Sequence, residues 1–138
     1  MECRITFEYQ DRLRNGAGAG EFGRLTADAW AAIAEQLNPV LGLRGVQSLA
    51  RRCVRIATAH HPWLAEITYP QGDHLQAQSL IETFSRQPPE QAAAGGALLL
   101  TTLNELLASL VGASLTERLL QPVWNDFQRG THTQGDAP

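Results

Sequence analysis

The chain has 138 residues, 43% of them apolar and 18% charged, with a net charge of −3. That is the length of one ordinary domain, enough to bury a core without staples, and the composition excludes a disordered chain. All eleven basic residues are arginine, which excludes lysine-dependent chemistry, and the acidic balance gives no long-range pull toward nucleic acid or an anionic membrane.

Only two cysteines occur, Cys3 and Cys53, in no metal-ligand or CxxC spacing. A reducing compartment is therefore the simpler expectation. The first residues lack the apolar stretch of a signal peptide. The apolar run Ala97-Leu98-Leu99-Leu100 is interrupted by Thr101 and Thr102 and is too short to span a bilayer. A soluble, cytoplasmic protein is expected, and the Arg-only, Ala/Gly/Leu-rich composition points to a bacterial coding sequence.

In chain order, Ile5, Phe7 and Tyr9 alternate with Thr6 and Glu8, which is strand periodicity. Residues 1–24 are read as an extended, flexible head whose glycine-rich run, Asn15 to Gly20, is a linker. The first helix is expected from Thr26 as N-cap, with Trp30, Ile33, Ala34 and Leu37 on one face. Pro39 ends or kinks it and Gly42 is a plausible stop.

A second helix, about 46–60, carries the stripe Val46, Leu49, Ala50, Cys53, Ile56 and Ala57, with Ser48, Arg51, Arg52 and Arg55 opposite. His61-Pro62 closes it. After a turn at Tyr69-Pro70-Gln71-Gly72, Asp73 and Gln76 resemble a capping box for a third helix with Leu80, Ile81 and Phe84 as core. Glu82 and Arg86 have the spacing of an i,i+4 ion pair.

Gln87-Pro88-Pro89-Glu90 opens the longest helix, running to about Val111. Leu99, Leu103, Leu106 and Leu110 form one seam, and Leu100, Leu107 and Val111 a second. Gly112 stops it. Ser114-Leu115-Thr116-Glu117 is a capping box for a last helix bearing Leu119, Leu120, Val123, Trp124 and Phe127, with Pro122 inside. From Gly130 the sequence turns polar, and residues 129–138 are read as a disordered tail. The fold class is all-α: a bundle of about five helices over 25–128 with an extended N-terminal segment.

No constellation carries evident chemistry, so no catalytic, cofactor or metal residues are assigned. His60-His61 lies at a helix end, where imidazolium complements the dipole, and not mid-helix as a phosphoryl acceptor would. His74 and His132 do not join it in ligand spacing. Arg51, Arg52 and Arg55 are candidate contacts to an acidic partner, with DNA a lesser alternative given the acidic total.

Asn104 within the seam of Leu100, Leu107 and Val111, beside the pair Gly95-Gly96, marks a candidate dimer interface. The three tryptophans are read as core and loop anchors. The leading expectation is a non-enzymatic helical interaction module, a homodimeric adaptor in bacterial signalling. A sensor for a small apolar ligand, with a cavity near Trp30 and Trp63, is the alternative, and a DNA-binding regulator using the arginines is a third.

Overall fold

A computed structural model describes the backbone of residues 2–67 and 77–136 and the side chains of 5–67 and 78–125. Among the described residues five helices follow in order: α1 (Glu2–Arg14), α2 (Ala19–Thr58), α3 (Ala77–Ser85), α4 (Pro89–Val111) and α5 (Ala113–Asp136). A 3-10 turn, Pro62–Glu66, separates α2 from the segment before α3. No strand occurs among the described residues. The all-α bundle is as expected. The turn at 69–72 and the capping box at Asp73 lie outside the described residues.

The head differs from the reading of 1–24 as an extended segment: Glu2–Arg14 is helical and α2 begins at Ala19. The alternation of Ile5, Phe7 and Tyr9 misleads because two of its members also stand at i,i+4. Ile5 and Tyr9 are buried, whereas Phe7 is 59% exposed. Arg12 Nε donates to Glu8 Oε2 at 3.0 Å, an i,i+4 pair that a helix brings together.

α2 starts well before Thr26. The Glu21 carboxylate accepts from the Gly18 backbone N–H at 2.9 Å, capping the first turn. The helix continues through Pro39 and breaks its geometry at Gly42, at φ 78° and ψ 163°. That left-handed backbone is costly for any residue with a Cβ, so the bend sits at the glycine. The first limb buries Phe22, Ile33 and Leu37 and the second buries Val46, Leu49, Cys53 and Ala57.

α4 runs through the middle of the bundle. α2 makes the largest contact with it, and α1 and α5 pack against it as well. Ala92, Ala93, Leu99, Leu100, Leu103 and Leu107 are buried in this packing. α4 is long and apolar enough to cross a membrane by length and composition, and half of the qualifying window is buried inside the bundle. Thr101, Thr102 and Asn104, which shorten its unbroken apolar run, do not disqualify a 23-residue helix.

Two adjacent glycines set how closely α4 is approached. A Cβ on Gly96 would lie 2.5 Å from Tyr9 Cε2 and 2.6 Å from Thr26 Oγ1. A Cβ on Gly95 would lie 2.6 Å from Trp63 Cζ2. The Tyr9 and Trp63 rings thus rest on bare backbone, and Trp63 also meets Phe84 edge-on at 5.1 Å between ring centroids.

The last connection is tighter than the capping box implies. α5 begins at Ala113, one residue before Ser114, and Thr116 Oγ1 donates back to the Gly112 carbonyl at 2.7 Å. Leu120, Val123 and Trp124 are its buried face. Its backbone stays helical to Asp136, past the point where the polar composition suggests fraying. Arg86 pairs with Glu66 at 2.9 Å and not with Glu82, which accepts from Gln78 instead.

Candidate functional site

α1 and α4 lie side by side at Gly96 and enclose a groove of about 500 Å³. One wall is α1, contributing Thr6, Tyr9, Gln10 and Leu13 at i, i+3, i+4 and i+7. The other is α4, with Glu90, Ala93, Ala94, Ala97, Leu98 and Thr101 in the same periodicity. Both helices therefore give one face each, as the 3.6-residue repeat dictates. Three alanines leave the space that larger side chains would fill. His60 and His61, just past the end of α2, complete the lining.

The wall at Tyr9 is fixed from below. Thr26 Oγ1 donates to the Phe22 carbonyl at 2.8 Å, which uses its single proton. The 2.5 Å contact between Tyr9 Oη and Thr26 Oγ1 is thus donated by the tyrosine. Burial pushes the Tyr9 phenol above its ordinary value, only partly offset by the Thr26 bond and the Arg12 charge. Tyr9 also stacks on Phe22 at 5.7 Å. A neutral, locked tyrosine makes this wall rigid.

The sequence reading puts a ligand cavity near Trp30 and Trp63; beside Trp30 the space is too small for one. The volume bounded by Thr26, Trp30, Cys53, Leu80, Leu100 and Leu103 is only about 20 Å³, room for about one water. Cys53 fills part of it. Its Sγ donates to the Leu99 carbonyl at 2.9 Å, and burial pushes the thiol up to about 12, partly offset by the Leu103 backbone. It is a packing residue.

The α4 interface read from the sequence is corrected at two of its four residues. Leu100 and Leu107 are 2% and 0% exposed within a single chain, so a second chain has no access to them. Val111 and Asn104 are half-buried. Asn104 Oδ1 has no hydrogen-bond partner among the described residues. The sequence indicates a helix covered on several sides, and the covering comes from α1, α2 and α5 of the same chain.

Arg51, Arg52 and Arg55 do lie on the exposed face of α2, with Arg44 earlier on the same limb. His60 is exposed and His61 half-buried, its ring 6.1 Å from that of Trp63. Among the described residues no group of three or more His, Cys, Asp or Glu side chains gathers as a metal site. The groove is not visible in the sequence because its lining belongs to two helices far apart in the chain, one of which reads as a strand. The alanines at 93, 94 and 97 are the available signal, since three small residues on one helix face leave either close packing or space. No protein-family model, curated protein or solved structure matches the chain.

Proposed function

We propose that this protein is a non-enzymatic helical regulatory module that binds a small amphiphilic molecule in the α1/α4 groove. The observation that carries the reading is the groove itself: about 500 Å³, walled by Tyr9, Leu13, Ala93, Ala97 and Leu98, with polar groups at its margins. Small-molecule sites fall in this size range and share this apolar lining with a few placed polar groups. An apolar body lies along the alanines, and a polar end meets His60, His61 and Glu90. The methyl-lined floor is suited to holding a ligand and not to transforming it.

An occupant of drug-like size gains about 0.3 kcal/mol per heavy atom. About 20 such atoms give about 6 kcal/mol, a dissociation constant of tens of micromolar. The open side of the groove argues against anything much tighter. The wider setting, a regulatory partner in bacterial cytoplasmic signalling, rests on composition and on this binding role.

The test is a thermal-shift screen of medium-chain amphiphiles and aromatic acids and amines against the wild type and Ala97→Trp. A ligand at about 100 times its dissociation constant stabilises by about 2.7 kcal/mol. The wild type shifts upward with at least one member of the panel, and the groove-filled variant does not. Equal shifts in both proteins, or none in either, overturn the assignment.

A further inference from the structure

We infer that the α1/α4 groove selects its ligand by the sign of the head group. It takes a single-chain alkylamine whose ammonium meets Glu90, in preference to the corresponding fatty acid or alcohol. This selectivity rests on the groove as the binding site and adds to it a chemical class.

The lining sets the sign. An imidazole is uncharged in mildly alkaline solution, and there Glu90 is the one charged side chain among the described residues that bound the groove. None of the chain's eleven arginines is among them. Both arginines in the described side chains of α1 are already engaged, Arg12 with Glu8 at 3.0 Å and Arg14 with Asp11 at 3.6 Å. Glu90 differs from those carboxylates: it is exposed, and no cation among the described residues pairs with it. A ligand cation therefore has no competitor there within the described part of the chain.

A fatty acid is the natural rival, because the unbonded N–H groups of a helix's first turn attract anions. Glu90 stands in the first turn of α4 and supplies that negative charge itself, about a full charge against the half charge of the helix end. A second carboxylate would meet net repulsion. The chain's net charge of −3 acts in the same direction at longer range.

The placement of the charge suits a tailed cation. The α4 wall runs from Glu90 to Thr101, about 17 Å at about 1.5 Å per residue, with Ala93, Ala94, Ala97 and Leu98 in between. One charge at the end of a row of methyl and isobutyl groups matches an ammonium on an unbranched tail of medium length. A polyamine, charged along its length, would lay further cations against those alanines without a partner. Because Glu90 is exposed, water and salt screen it, and the preference is modest. It is about two- to fivefold for ammonium over alcohol, and about tenfold over carboxylate, where repulsion adds to attraction.

The test is isothermal titration calorimetry with decylammonium, decanol and decanoate at low ionic strength and about pH 8. The proteins are the wild type, Glu90→Gln, Glu90→Arg, Glu35→Gln and the groove-filled Ala97→Trp, each checked for wild-type circular dichroism. Binding that Ala97→Trp abolishes is groove binding. In the wild type decylammonium binds tightest and decanoate weakest, and about 0.5 M salt narrows the spread. Glu90→Gln brings the three dissociation constants within about twofold of one another, and Glu90→Arg puts decanoate first. Glu35→Gln removes the same charge at an exposed position outside the lining and keeps the wild-type order. Three probes that bind the groove equally, or an order that Glu90→Gln leaves unmoved, overturn the selectivity while the groove stands as a binding site. An order lost equally in Glu35→Gln belongs to net charge and overturns it too. If no probe binds, or all bind Ala97→Trp as well, the groove itself falls as a site and the selectivity falls with it.

Discussion

Leu107 and Leu110 stand one turn apart on α4 and look equally apolar in the sequence, but they should respond differently to truncation. Leu107 is fully buried and Leu110 is 62% exposed. Leu107→Ala removes a closely packed side chain and leaves a cavity, which costs about 2–5 kcal/mol. Leu110→Ala touches mostly solvent and should stay within about 0.5 kcal/mol of the wild type. Against a total stability of about 5–15 kcal/mol, the first loss is large. At about 2–5 °C per kcal/mol for a domain of this size, Leu107→Ala melts at least several degrees below Leu110→Ala. Urea unfolding followed by circular dichroism reads the difference as a lower midpoint with an unchanged slope. Equal effects from the two substitutions would refute the enclosure of α4 by its own chain. So would a Leu107→Ala protein of undiminished stability that changes oligomeric state, since Leu107 would then face another molecule.

Three further outcomes follow from the packing and the shifted groups. Gly96→Ala places a methyl against Tyr9 and Thr26; overpacking at about 1–3 kcal/mol outweighs the helix-propensity gain of about 1 kcal/mol, so chemical denaturation should show a net loss. Tyr9→Phe deletes the proton that the phenol gives Thr26 and should cost about 0.5–1.5 kcal/mol, with groove binding retained. Cys53, raised by burial from 9.0 to about 12, binds its proton more tightly folded than unfolded. Its contribution is therefore complete below pH 9.0 and is lost as pH rises toward 12, at up to about 1.4 kcal/mol per pH unit. Cys53→Ala should flatten the alkaline limb of the stability profile; an unchanged slope would show that this thiol does not titrate on unfolding.

Much of the helical layout is legible in the sequence because its signals are local. The stripe of Val46, Leu49, Cys53 and Ala57 and the Pro88-Pro89 entry to α4 depend only on neighbours within a turn or two. The helix ends are less legible, since Thr26 has the chemistry of a cap but is spent on Tyr9 and Phe22, while the actual start is set by Gly18 and Glu21. The head misleads because so short a stretch cannot separate a period of 2 from a period of 3.6 when Ile5 and Tyr9 satisfy both. What covers a wide apolar helix is a tertiary question. The seam of Leu100 and Leu107 announces that it is covered, and says nothing of whether by the same chain or another. The groove is hidden for the same reason, because it exists only where α1 and α4 meet.

The most direct test of the binding role is a methyl-resolved NMR titration with a medium-chain amphiphile from the thermal screen. The account predicts shifts concentrated at the methyl groups of Ala93, Ala94, Ala97, Leu98 and Leu13, with Leu64, Leu80 and Leu120 unmoved. Shifts spread evenly through the core, or absent from the three alanines while the ligand binds elsewhere, would contradict it.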